Sequence, residues 1–335
     1  MKKPFTTLED VALAANMSRA QTSRALRGDP GVRAETRERI AAIAAELNYR
    51  PNLAARSLVS AHSSIVGLII GDPSNPFHIQ LAQAVDRALL ARGFEPVTTL
   101  RSAEDGSAVN ETERLLRFRA AGVILIAPLI TSKAISTIAD SLPCVYLGSQ
   151  RVNHPRVTVI TVDDNGGVRT AMEHLLSLGH RRIAHLGGGN EASARERTKA
   201  YCEVMKEAGL EPFFLRGTHD AASGRRGVDA LFSDANPPTA IFASNDFLAL
   251  GVLDRLKGMG LSVPEDVSVV GFDDIPSAAN SVFSLSTLRQ DIHAQAQTAV
   301  DSLEEIIANG AKRIRRHVMP VELVLRHSCG PAKPS

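Results

Sequence analysis

A chain of 335 residues exceeds the size of one ordinary hydrophobic core, so a small module joined to a larger two-lobed body is the first expectation, and 44% hydrophobic with 22% charged residues indicates a soluble globular protein. Cys144, Cys202 and Cys329 are far apart and odd in number, which excludes a disulfide framework and a cysteine metal site; Pro4 to Asp10 offers no apolar core for a secretory signal, and no stretch reaches membrane-spanning length. The net charge is only +2, yet residues 1–60 carry +4 and the remainder −2, as suits a cationic head that seeks a polyanion on a body that does not.

The first elements are three short helices. Leu8, Val11, Ala12 and Ala15 follow helical spacing, with Thr7 placed to cap the first turn and an end expected near Ala15. Asn16 falls where a tight turn needs a left-handed residue, and Ser18 restarts the chain as an N-cap. A second helix over Arg19–Leu26 stops at Gly28, Asp29 and Pro30, and a third carries Ile40, Ile43, Ala44 and Leu47 as one apolar stripe. Two helices joined by such a turn form a helix-turn-helix, whose second helix enters the major groove N-terminus first. Arg19, Ala20 and Arg24 are then candidate base readers, with Ser18 and the helix N-terminus suited to phosphate and Thr7 counted as a further DNA-binding residue. The alternative is a solvated basic helix in an ordinary bundle.

From Thr7-Leu-Glu-Asp-Val-Ala through Met17-Ser-Arg-Ala-Gln-Thr-Ser-Arg-Ala-Leu, Thr36-Arg-Glu-Arg-Ile and Leu47-Asn-Tyr-Arg-Pro-Asn52, the chain resembles the headpiece of the lactose-repressor and galactose-repressor (LacI/GalR) family. It departs at Gln21-Thr22, where the family usually has Thr-Val, and at Asn16, where it usually has Gly. Asn52 to Val59 is long enough for only about two helical turns, marginal by itself in water. The resemblance implies a hinge helix that orders on DNA, with Leu58 as an apolar wedge in the minor groove and Ala55 permitting close approach. A plain linker helix is the alternative.

From Ser64 onward apolar runs alternate with amphipathic helices: Ile65–Ile70, Leu81–Ala91, Phe94–Leu100 and Val123–Ala127. The rhythm restarts with Gly167–Leu178, Ile183–Leu186, Ala240–Ala243 and Val267–Phe272, and a terminal strand over Val318–Leu325 completes one lobe. This predicts two parallel sheets flanked by helices. Ligands of such sheets bind beyond the carboxyl ends of the strands, which selects Phe77, Asn245, Asp246, Asp273 and Asp274, with Arg195 and Arg197 in the stretch after Gly187-Gly-Gly189. Rings, Arg, Asn and Asp together suit a polyhydroxyl or heterocyclic ligand. Asp273 and Asp274 could instead cap a following helix.

Asn75-Pro-Phe, His174-Leu-Leu-Ser-Leu-Gly-His180, Arg195-Glu-Arg197, Ser244-Asn-Asp246 and Val269-Val-Gly-Phe-Asp-Asp274 extend the resemblance over nearly the whole chain. It implies a periplasmic-binding-protein-like body, with Arg197, Asn245 and Asp273 as effector contacts and Phe77 and Gln290 as additions. Gly148 stands where many members have Asp or Asn, and His219 where some have a stacking aromatic.

Two rival classes can be weighed. Gly187-Gly-Gly-Asn-Glu-Ala192 fits the dinucleotide fingerprint G-x-G-x-x-A, but the acid at the required spacing, Glu207, falls in a helix. An exported sugar-binding protein would share the lobes but lack a DNA module. No nucleophile elbow, Walker loop or zinc motif occurs, and His174, His180 and His185 have no metal-ligand spacing. The expectation is therefore a cytoplasmic regulator, not an enzyme, with no metal, no cofactor and no membrane partner. Its fold is an all-α helix-turn-helix headpiece (1–50), a hinge (51–62), an α/β body of two doubly wound parallel-sheet lobes (63–162 with 292–320; 163–291 with 321–330) and a tail (331–335). Its partners are double-stranded operator DNA, a small-molecule effector and a second copy in a homodimer.

Overall fold

The structure is a computed structural model and describes residues 6–50, 63–100, 105–126, 130–310 and 313–333. The expected hinge helix, with Ala55 and Leu58, lies outside the described residues, as does Ala127. Two compact units are present, residues 1–63 and 64–335.

The first unit holds α1 (Leu8–Ala14), α2 (Arg19–Leu26) and α3 (Ala34–Glu46). Thr7 caps α1 by a reciprocal box with Asp10, and Ser18 caps α2 by another with Gln21. Asn16 has φ 51°, the left-handed turn expected between them. Val11, Ala15, Ala25, Ile40 and Ala44 form the small core. Leu47 departs from the predicted stripe: it is the C-cap of α3 and exposed, while Met17, Leu26, Val32, Ile43 and Tyr49 close the core around it.

The second unit contains two six-stranded sheets. The first has the order β11 (Arg315–Met319), β5 (Val157–Val162), β4 (Cys144–Leu147), β3 (Gly122–Ile126), β1 (Ile65–Ile70) and β2 (Glu95–Leu100), all parallel. The second has β12 (Val321–Val324), β10 (Ser286–Gln290), β9 (Ser268–Asp273), β8 (Ala240–Ala243), β6 (Ile183–Leu186) and β7 (Phe213–Leu215), parallel except for the β10–β12 pair. In the first sheet α4 (Pro76–Ala91) and α11 (Ile292–Asn309) cover one face and α5 (Asp105–Arg117) and α6 (Ser132–Ser141) the other. In the second, α7 (Asp164–Ser177) and α8 (Ala192–Glu207) oppose α9 (Ala221–Phe232) and α10 (Asp246–Gly258).

The central strands are apolar throughout because both faces are buried. Val66, Leu68 and Ile70 of β1 belong to the core that holds α4 and α11, whereas Ile65 and Ile69 join Leu115, Ile135 and Ile138 on the opposite side. The predicted terminal strand Val318–Leu325 is two strands, not one. Pro320 supplies no N–H and separates β11, paired with β5, from β12, paired with β10, so the segment crosses between sheets.

Candidate functional site

On the headpiece, Thr7, Ser18, Arg19, Ala20 and Arg24 are all exposed. The Ser18 hydroxyl accepts from Gln21 N–H at 3.2 Å, which leaves the other orphan amides at the start of α2 open to an anion. Arg24 Nε donates to Asp29 Oδ2 at 2.7 Å and Nη2 to Oδ1 at 3.4 Å, and the same Oδ1 accepts from Gly31 N–H at 2.8 Å. Asp29 thus engages one edge of the guanidinium, Nε with one N–H of Nη2, and the end-on pair formed by Nη1 and the second N–H of Nη2 is the edge left for a planar acceptor pair.

In the body, a cleft lies beyond the carboxyl ends of both sheets, with an empty volume of about 680 Å³ including its mouth. Phe77, Arg197, Asn245, Asp273 and Gln290 all line it. Phe77 is set by the Asn75 cap of α4, whose Oδ1 accepts from Phe77 N–H at 3.0 Å. Asn245 caps α10 through Leu248 N–H at 2.9 Å, and its amide nitrogen donates to His219 O at 3.4 Å. Asp273 ends β9 at φ 122°, a conformation that L-residues rarely hold, and its Oδ1 accepts from Gln290 Nε2 at 2.7 Å. Burial raises its carboxyl to about 7 against the pull of Arg197.

Arg197 is the hub. Its Nε donates to Asp164 Oδ1 at 2.8 Å and Nη1 to Ser244 O at 2.6 Å, Asp273 Oδ1 lies 3.8 Å away, and the guanidinium sits 3.4 Å from the Phe272 ring centre. The other oxygen of Asp164 accepts from Ser149 Oγ at 2.9 Å, so a polar chain runs from the first sheet to the second.

Three expected residues are elsewhere. Arg195 is on the same helix as Arg197 but two residues away, so it points outward and is exposed, donating to Asn190 O. Asp246 turns beneath the sheet end to Thr287 Oγ1 (2.5 Å) and Ile275 N–H (2.9 Å), in space left by Gly271. Asp274 is held by Arg289 and Arg326, each at 2.6 Å. Neither Asp273 nor Asp274 caps a helix, since the short 3-10 turn that follows begins after Ile275 without a side-chain cap.

The cleft also contains Tyr146, Ser149, Thr161, Ser193 and His78, which the strand-end rule did not select. Tyr146 sits inside the apolar run Cys144–Leu147 and reads as core, with its hydroxyl packed against Gly148, the residue after the strand. His180 and His185 are bonded inside the second sheet, His180 to Thr239 and Gly330 and His185 to Phe242 O and Thr198. Among the described residues no cluster of three His, Cys, Asp or Glu could hold a metal ion, and no helix is long and apolar enough to cross a membrane. Glu207 ends α8 in an ion pair with Arg169, away from any strand terminus, so the dinucleotide fingerprint lacks its ribose-binding acid.

Residues 7–52 match the family described as bacterial regulatory proteins, lacI family, and residues 172–329 match the periplasmic binding protein-like domain. The chain is 32% identical to the transcriptional regulator MalR of Streptomyces coelicolor, over 98% of this chain and 97% of that protein. It is 31% identical to the lactose operon repressor of Escherichia coli, over 97% of this chain and 90% of the repressor. A lac repressor dimer solved with operator and the anti-inducer ONPF superposes with a TM-score of 0.85 at 28% identity, covering 97% of this chain and 99% of that one. With a capped helix-turn-helix ahead of two parallel-sheet lobes, and with relatives matched almost end to end, the chain belongs to the lacI family of DNA-binding transcription regulators.

Proposed function

We propose that this regulator acts as a repressor: a homodimer that binds a near-palindromic operator and is switched by a sugar, polyol or nucleoside-like effector in the cleft between its lobes. The observation that carries this is the union, in one chain, of an exposed, N-capped reading helix with a polar cleft lined from both sheets. Thr7 and Ser18 would meet phosphate and Arg19, Ala20 and Arg24 base edges, with the hinge over residues 51–62 placing Ala55 and Leu58 in the minor groove. Phe77 would cover an apolar face of the effector, while Arg197, Asn245, Asp273 and Gln290 bond its polar edge. Headpiece 1–50, lobe one 63–162 with 292–320 and lobe two 163–291 with 321–330 are the working division, and the operator-bound, anti-inducer-bound dimer among the similar structures supports the assignment of partners.

Two-fold symmetry ties dimer to half-sites. The test is selection of bound duplexes from a randomised library by the full chain, followed by titration against salt. We expect a near-palindromic consensus, two chains per duplex and a steep fall of affinity with salt. Indifference to duplex at low ionic strength would end the reading.

A further inference from the structure

Helix α2 ends in a turn that folds back onto one of its own candidate base readers. Gly28, just past the C-cap Arg27, takes φ 74° and its N–H donates to Ala25 O at 3.0 Å, while the Asp29 N–H donates to Arg24 O at 3.1 Å. These two bonds are the paired closure that a left-handed glycine permits at a helix C-terminus. An apolar contact commonly accompanies that closure, between the residue two past the cap and the residue three before it. Here those positions are Asp29 and Arg24, and an ion pair joins them, with Nε and Oδ2 at 2.7 Å.

Asp29 is itself fixed from two sides. Its Oδ1 accepts from Gly31 N–H at 2.8 Å, and Arg37 Nη1, from α3, donates to Asp29 O at 3.3 Å and Val32 O at 2.8 Å. The absence of a side chain at position 31 leaves room for the pair, since a Cβ there would stand 2.7 Å from Arg24 Nη2 and 3.1 Å from Asp29 Oδ1. The pair stays open to solvent, with side-chain exposures of 49% for Arg24 and 30% for Asp29, and exposed ion pairs add little to folding stability. Its effect is on geometry and charge. An arginine reads a base through an aligned planar fork, and holding Nε and one N–H of Nη2 beforehand reduces the rotamer freedom lost on binding. A carboxylate held against a DNA-reading residue also repels phosphate, which lowers affinity for every sequence.

We propose that Asp29 is a positioning residue for DNA recognition: it aims the end-on edge of Arg24 at one base pair and weakens binding to duplex of any sequence, so that selectivity rises while overall affinity falls. This rests on the reading of Arg24 as a base reader.

The experiment is competition binding of the full chain to its selected operator and to random duplex, for Asp29→Asn, Gly31→Ala and Arg24→Ala. Asp29→Asn keeps an oxygen for the Gly31 N–H but removes the charge beside Arg24, whereas Gly31→Ala displaces the flexible end of Arg24 and keeps the carboxylate. Each should lower the ratio of operator to random affinity by about tenfold with thermal unfolding unchanged, and Asp29→Asn should also bind random duplex more tightly. Added to Arg24→Ala, Asp29→Asn should leave the ratio where Arg24→Ala put it, because the two residues act as one unit. The proposal is overturned if Asp29→Asn leaves the ratio unchanged, if it binds random duplex no more tightly, or if it lowers the ratio further in the Arg24→Ala background, which would make Asp29 a direct base contact. Should Asp29→Asn prove unfolded, the ratio in Gly31→Ala decides alone. If Arg24→Ala itself leaves the ratio unchanged, base reading by Arg24 falls and the proposal falls with it; if Arg24→Ala is the only variant to lower the ratio, the base reader stands and Asp29 has no part in it.

Discussion

Thr22 lies on the inner face of α2 with no exposed surface, and its hydroxyl has no hydrogen-bond partner among the described residues. Valine has nearly the same shape and no polar atom to desolvate. Thr22→Val is therefore expected to stabilise the headpiece by about 1 kcal/mol, read as a higher unfolding midpoint; an unchanged midpoint would mean that the hydroxyl is satisfied. Asp273 makes the opposite kind of statement, because its burial serves a site. Its folded carboxyl holds its proton up to about 7, whereas an unfolded one releases it near 4, so its contribution to stability is complete below about pH 4 and lost as pH rises through about 7. Asp246, raised by burial, slopes in the same sense, while His185 and His219, depressed to about 4 and about 3, lose stability as pH falls below their unfolded value. The difference between the native chain and Asp273→Asn isolates the one residue. The native chain should lose ground to the variant between pH 4 and 7, by at most about 1.4 kcal/mol per pH unit. Parallel stability curves would show that Asp273 is ionised throughout.

At the scale of elements, α2 separates two kinds of DNA contact. Ser18→Ala removes the reciprocal cap with Gln21 and should cost about 1 kcal/mol of headpiece stability. Because caps and phosphate contacts carry no sequence information, operator and random DNA should weaken by the same factor. Arg24→Ala should instead lower the ratio of operator to random affinity, by roughly 1–3 kcal/mol if its freed edge reads a guanine. Competition binding measures both, and an equal loss in the Arg24 variant would remove it from base reading. These headpiece elements were legible because capping boxes and left-handed turns are local devices, written within four residues. The βαβ alternation was legible for a related reason, since strands such as Ile65–Ile70 are buried on both faces and read as unbroken apolar runs. Pro320 was not, because the partners of β11 and β12 are set by pairings far away in sequence. Strand ends located Phe77, Asn245 and Asp273, and Gln290 came from the family resemblance alone, but Tyr146 was hidden inside an apolar strand, and the separation of Arg195 from Arg197 needed the helix phase.

At the scale of the molecule, the chain passes between the lobes three times, from β5 to α7 through Asp163, from β10 to α11 through Asp291, and from β11 to β12 through Pro320. Under the proposed effector reading these three short crossings would serve as the hinge on which a ligand acts. The chain Ser149–Asp164–Arg197 already spans that cleft, so relative movement of the lobes must stretch or break it. A ligand that favours one lobe arrangement therefore changes DNA affinity only through its differential affinity for the two arrangements, and operator must change ligand affinity by the same factor. With a bound sugar in hand, operator affinity measured with and without it, and sugar affinity measured with and without operator, should give matching factors of roughly 5–150. Ser149→Ala cuts the first-lobe end of the chain and should shrink both factors together, since the two arrangements then differ by one fewer bond. A sugar that binds while operator affinity stays constant would sink the switch and leave DNA recognition standing; full coupling in Ser149→Ala would locate the switch elsewhere in the body.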